Sequence, residues 1–217
     1  MSRKPRAFSY CLLCFLIIAL STAAQDTDVV KLPAPQTTGG KPLLDCLKAR
    51  QSGREFSAAK LSAQVLSNLL WAADGINRPD SGKRTAPSAV NWQDIDIYAA
   101  MADGLFLYLP KEHALKKILG EDVRAAMGKQ EFVKDVPLNL IYVSDYSKIA
   151  RGTDEDKRFT SGAHTGFIGQ NVYLYCASEG LVTVIRGAID REEMAKVMKL
   201  RPEQRITLAQ SVGHPKK

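Results

Sequence analysis

Two short segments of this chain carry side chains suited to holding a phosphorylated molecule with a polar ring. Arg50-Gln51-Ser52-Gly53-Arg54 places two guanidinium groups and a hydroxyl close together. Arginine suits a phosphate because its planar fork donates two parallel, charge-assisted hydrogen bonds. Further on, Pro87-Ser88-Ala89-Val90-Asn91-Trp92-Gln93 presents a hydroxyl and two amides. Each amide offers a donor and an acceptor, which is what the edge of a polar heterocycle or a polyol chain requires. Simpler readings stand beside these: Arg50 and Arg54 as surface ion pairs with Asp45 or Glu55, and Ser88, Asn91 and Gln93 as a loop satisfying its own backbone.

The elements that must position these groups can be read from periodicity. Leu43, Leu44 and Leu47 lie on one side of a short helix that delivers Arg50 at or just beyond its C-terminal end. Carbonyl groups dominate such an end and repel a phosphate, so the arginines must supply the positive charge. Leu61, Val65, Leu66, Leu69, Leu70 and Ala73 recur at helical spacing before Gly75, which marks a core helix. Residues 76–94 lack a regular period and read as a long binding loop. Runs 95–100 and 105–109 flank Ala102-Asp103-Gly104 as a β-hairpin. Residues 112–129 read as two short helices, 138–143 as a buried strand, and 162–179 as a long helix that is apolar on more than one side. Then follow a strand at 181–185, a helix opened by Asp190 with Glu193, and a closing strand over 204–212. This mixed order predicts an α+β fold with a mostly antiparallel central sheet flanked by helices.

The two segments together resemble the FMN-dependent nitroreductase family, in particular the branch that includes the dehydrogenases of thiazolines and oxazolines. The family's opening Arg-Arg-Ser-x-Arg is similar to Arg50–Arg54 followed by Phe56, and its Pro-Ser-x-x-Asn-x-Gln is matched at every specified position by Pro87–Gln93. Residues 170–181 with Ile185-Arg186-Gly187 resemble the family's long core helix and the strand after it. Val212-Gly213-His214-Pro215-Lys216 resembles its closing Gly-x-Pro with a basic residue. One departure is Gln51, which stands where the family has a second basic residue.

The resemblance implies FMN as cofactor and a homodimer of nitroreductase-like subunits. Arg50 and Ser52, with Lys216 assisting, would hold the phosphate. Arg54 would lie near the pyrimidine side and favour the anionic reduced ring. Pro87, Ser88, Asn91 and Gln93 would reach the flavin bound mainly to the partner subunit. Ile185, Arg186 and Gly187 would lie by the reactive ring nitrogen through backbone N–H groups, with Arg186 also able to meet an anionic substrate. The flavin itself performs the transfer, so no catalytic acid, base or nucleophile is called for.

The chain has 217 residues, 45% of them hydrophobic, enough for one sizeable core. Arg3, Lys4 and Arg6, the apolar run from Tyr10 to Leu20 and the small residues Ser21–Ala24 have the layout of a signal peptide cleaved after Ala24. An uncleaved anchor is the competing reading, although the run is short of the ~20 residues that span a bilayer. Cleavage would leave a periplasmic or secreted protein without a stable membrane anchor. Residues 25–41, with Pro33, Pro35 and Gly39-Gly40, read as a flexible linker ahead of one domain over 42–217. Losing three cations and no acids with residues 1–24 lowers the formal charge from +7 to +4. The remaining charges alternate in sign, which argues against nucleic-acid binding. Cys46 and Cys176 are read as buried single thiols, with a disulfide left open by an oxidising compartment. The three histidines are too scattered for a metal centre.

The sequence thus predicts an exported FMN-dependent oxidoreductase that passes electrons in ping-pong fashion between a small-molecule donor and acceptor. A non-catalytic ligand-binding module on the same fold is the alternative that Gln51 keeps open.

Overall fold

A computed structural model describes residues 28–216. Its centre is a seven-stranded sheet in the order β1 (Val29–Lys31), β6 (Ala114–Leu119), β5 (Gly104–Leu109), β4 (Ile95–Met101), β7 (Leu138–Asp145), β9 (Gln204–Gly213), β8 (Val182–Arg186), with every neighbouring pair antiparallel. The inner strand β7, between β4 and β9, is buried along its whole length. Its alternate residues feed two cores: Leu138, Leu140 and Tyr142 on one face, Ile141 and Val143 on the other. That double burial is why the strand reads as a continuous apolar run.

The first face is covered by α2 (Ala63–Asp74) and α3 (Asp154–Glu179). Ser62 caps α2 by accepting from Val65 N, and Leu66, Leu69, Leu70 and Ala73 bury one stripe. α3 is 26 residues long, opens on a Thr153–Asp156 capping box and stops at Gly180 in the left-handed region. It lies so close to β8 (Val182–Arg186) that a Cβ on Gly169 would sit 2.7 Å from Ile185 Cδ1. The second face is covered by turns around Met127 and Val133 and by α4 (Arg191–Val197), whose N-terminus Asp190 caps through Glu193 N.

The predicted hairpin is present as β4 (Ile95–Met101) and β5 (Gly104–Leu109), and the closing strand as β9 (Gln204–Gly213). Gly104 has φ +133° there, and a Cβ would lie 2.2 Å from the Leu119 carbonyl oxygen. Gly104→Ala is therefore expected to destabilise the fold by about 3 kcal/mol or more. Gly82→Ala, at φ +61° in open space, should cost only about 1–2 kcal/mol; urea midpoints of the two variants check the contrast.

Three expectations are corrected. Residues 114–119 form strand β6, not a helix; they pair with β5 on one side and with β1 (Val29–Lys31) on the other. The expected linker over 25–41 accordingly contains strand β1, and its continuation is pinned by Ser67 Oγ to Pro33 O and by Gln36 N to Asn68 Oδ1. The loop over 76–94 includes a small hairpin, β2 (Ile76–Arg78) with β3 (Lys83–Arg84). Cys46 and Cys176 are both buried and unpaired. The signal-peptide reading falls on residues 1–24, outside the described residues.

Candidate cofactor site

The arm Arg50–Arg54 leaves α1 (Leu43–Ala49) at its C-terminus, where Arg50 N donates to Cys46 O. α1 turns Cys46 inward and leaves Leu43, Leu44 and Leu47 exposed, the reverse of a core-facing leucine stripe. The arm then docks on the free edge of β8: Gly53 N donates to Thr183 O at 3.0 Å. Only glycine permits that approach, since a Cβ would lie 2.6 Å from Val182 Cγ1. Ser52 Oγ is 2.8 Å from the Tyr173 hydroxyl, and the Arg50 guanidinium stands 5.3 Å from the centroid of the same ring.

Beyond the arm, residues 55–57 run against the C-terminal segment through Ser57 N to His214 O, Lys216 N to Glu55 O and a bridge between Phe56 and Pro215. This brings Arg54 and Lys216 into one cleft of about 640 Å³, with Glu131 and Asp135 on the facing turn and Phe56 stacked on Phe132. Among the described residues, Arg50, Arg54 and Lys216 have no acidic partner, whereas Arg84, Arg124, Lys148 and Arg201 each have one. The pairing of Arg50 or Arg54 with Asp45 or Glu55 does not occur. Along this one arm Arg50 and Ser52 therefore face Tyr173 beside β8, while Arg54 shares its cleft with Lys216.

Arg186 does not join them through its side chain. It is 4% exposed and donates from Nη1 to Met127 O and from Nη2 to Asn139 Oδ1, within the opposite core. Burial lowers its pKa to about 10, so it stays charged at neutral pH without an acidic partner. The anticipated contact between this side chain and an anionic substrate is corrected accordingly: alternation along β8 sends Ile185 towards α3 and Arg186 away from it.

Pro87, Ser88, Asn91 and Gln93 form a second, separate group. Their loop is tightly self-bonded: Ser88 Oγ accepts from Gln93 N at 3.0 Å, and Gln93 Nε2 donates to Gly82 O and Asn91 Oδ1. Val90, Asn91 and Gln93 all hold positive φ, at 50°, 58° and 48°. For a β-branched valine that is a strained conformation, of the kind held where a loop presents groups outward. Val90 is 70% exposed, and Asn91 Nδ2 and Gln93 Oε1 make no hydrogen bond among the described residues.

A buried bracket holds this loop to α3. Asp94, fully buried, accepts from Ser144 Oγ and Ser161 Oγ and lies 2.5 Å from His164 Nδ1. His164 Nε2 accepts the Ala89 N–H at 2.7 Å, so Nδ1 carries the proton that goes to Asp94. Ser161 and Ser144 therefore serve Asp94, and among the described residues no hydroxyl is hydrogen-bonded to His164. His164 and Tyr173, which hold the loop and the arm, are nine residues apart on α3. That is about 14 Å along the helix and half a turn around it, so the two groups lie on different sides of the helix.

The model of the nitroreductase family matches residues 47–214. The chain belongs to that family. A nitroreductase-like protein of Methanocaldococcus jannaschii is 32% identical over 187 residues, which cover 81% of this chain and 92% of that one. A crystal structure of a nitroreductase homologue from Ralstonia eutropha superposes with a TM-score of 0.84 at 38% identity, covering 88% of this chain and 91% of the other. A homologue from Desulfovibrio desulfuricans, solved in complex with FMN, shares the fold at a TM-score of 0.58 and 20% identity, over 82% and 89% of the two chains.

Beneath the loop of this nitroreductase-family chain, Asp74 is bonded to Arg84 at 2.5 Å. Burial raises its pKa from the ordinary 3.8 to about 7, against the lowering effect of Arg84, with Asp96 and Asp94 adding to the rise. Between about pH 4 and pH 7 the unfolded carboxyl is ionised while the native one keeps its proton, so stability falls as pH rises through that window and levels off above it. Asp74→Asn is expected to flatten this slope in urea midpoints measured from pH 4 to pH 8; an unchanged slope would show that Asp74 ionises normally.

Tyr173, Asp94 and His164 are the supporting residues that the sequence reading passed over. His164 and Tyr173 sit on α3 and Asp94 just before β4, and only the pairing of a buried polar side chain with an irregular neighbouring segment could have flagged them.

Proposed function

We propose that this protein is an exported, homodimeric, FMN-dependent oxidoreductase, with the active site shared between two subunits. The observation that carries the reading is the arm Arg50–Arg54, docked on the edge of β8, with Ser52 against the Tyr173 hydroxyl and Arg54 sharing a cleft with Lys216. A phosphate is the group that such a donor set suits. FMN, when bound, supplies the electron-transfer chemistry; the chain's own residues bind its phosphate and present donors to its ring.

A dimer would explain why the second donor group, on the loop before β4, stands apart from the arm. Asn91 and Gln93 on their strained loop would reach the ring held by the partner. It also accounts for the uncovered face of α3, where Phe159 is 81% and Phe167 46% exposed beside Gly162 and Gly166, whose Cβ positions meet open space. Exposed aromatic side chains flanking small ones suit close packing of another helix. Export rests on the layout of residues 1–24, and it separates the enzyme from the cytoplasmic NAD(P)H pool. An enzyme that oxidises a small heterocycle, as azoline dehydrogenases do, and passes electrons to oxygen or a quinone suits that compartment.

Anaerobic half-reactions test the activity. Either a nicotinamide or an azoline compound should bleach the visible band of FMN-loaded protein in the absence of an acceptor, and an added quinone should restore it. Loaded protein that no such donor bleaches would contradict the oxidoreductase reading.

A further inference from the structure

We propose that the Tyr173 hydroxyl is a positioning group that orients Ser52 towards the cofactor phosphate and fixes which strand-end N–H remains free for the ring; this rests on the FMN reading above. Tyr173 is 7% exposed and lies on the buried side of α3, yet its hydroxyl meets two polar groups that belong to different parts of the site. It accepts the Ile185 N–H at 2.9 Å and lies 2.8 Å from Ser52 Oγ.

A phenol has one proton to donate. With the Ile185 N–H already pointing at its oxygen, Tyr173 directs that proton to Ser52 Oγ, which leaves the Ser52 proton to point outward. A phosphate oxygen needs a donor there, and Tyr173 makes Ser52 one. The ring does a second job by carrying the Arg50 guanidinium over its face at 5.3 Å. At the strand end the consequence is equally specific. The Ile185 N–H is engaged by Tyr173, and alternation turns the Arg186 N–H towards β9, where Arg186 pairs with Ala209. The Gly187 N–H, beyond the last residue of β8, is the donor left over.

FMN and riboflavin differ only in the phosphate, so their two dissociation constants, read by flavin fluorescence, separate the phosphate role from general damage. Tyr173→Phe keeps the ring under Arg50 and removes only the hydroxyl. It is expected to weaken FMN binding about tenfold, the worth of one charge-assisted hydrogen bond, and to change riboflavin binding by a smaller factor, through the Ile185 N–H that loss of the hydroxyl frees. Ser52→Ala, on the exposed arm where folding is not at stake, should lower the FMN preference by a similar factor. The double variant should lose no more than the larger single loss, because both act on one contact. An unchanged FMN-to-riboflavin preference in either single variant would overturn the proposal, as would an equal loss for both ligands in Tyr173→Phe. Wild-type protein that binds neither flavin would overturn the FMN reading and this proposal together, which distinguishes that failure from the first two.

Discussion

Replacing Arg50 and Arg54 together with alanine is expected to weaken FMN binding by roughly two to three orders of magnitude, as removal of two charge-assisted contacts would. The fold should survive. Neither side chain has an acidic partner among the described residues, and neither donates a hydrogen bond to the protein. The arm's own attachment runs through Gly53 N, Ser52 Oγ and the backbone of residues 55–57, all of which the double variant keeps. Unchanged urea midpoints with lost flavin retention is the expected pair of results. Equal flavin occupancy in variant and wild type would remove these arginines from the site.

Phe167→Glu is expected to convert a dimer into a monomer and to lower flavin retention with it. Phe167 is 46% exposed on the outer side of α3, one turn from Gly162–Ala163 and directly after Gly166, whose Cβ position meets open space. Burying an unpaired carboxylate between two such helices costs several kcal/mol, enough to raise a dimer dissociation constant by about a thousandfold. Sedimentation of the variant checks the first effect, and its flavin content the second. A variant that remains dimeric and loaded would place the interface elsewhere than on α3. A variant that becomes monomeric and still holds FMN fully would show that the loop Pro87–Gln93 of the partner contributes nothing.

The hairpin β4–β5 was legible because its turn, Ala102-Asp103-Gly104, carries a local chemical requirement that the structure meets at Gly104. Helix α2 was legible for the same kind of reason, with a stripe at regular spacing and a stop at Gly75. Strand β6 was not, because Lys116-Lys117 interrupts the alternation and its pairing partner β1 is a short segment among prolines. The start of α3 lies eight residues before Gly162 because its first turn is polar, and only the Thr153–Asp156 box marks it. The leucines of α1 show a deeper limit. Their spacing says that they share a face, but whether that face meets the subunit's own core or something outside it depends on where Arg50 is carried, and that is decided by docking on β8.

The same distinction applies to the site. Residue types and order single out Arg50, Ser52, Arg54 and Lys216 as candidates, and the fold brings Arg54 and Lys216 into one cleft from opposite ends of the domain. Side-chain direction was not available, and so Arg186 was assigned outward when the pleat of β8 buries it against Met127 and Asn139. The bracket formed by Asp94 and His164 is a contact between residues 70 positions apart, which no local pattern encodes.

The visible absorption spectrum of the purified protein, taken before and after denaturation with chromatographic identification of anything released, addresses the central claim most directly. A yellow protein that releases about one FMN per chain is the expected result. A colourless protein that also fails to take up added FMN would contradict it and favour a ligand-binding module built on the nitroreductase fold.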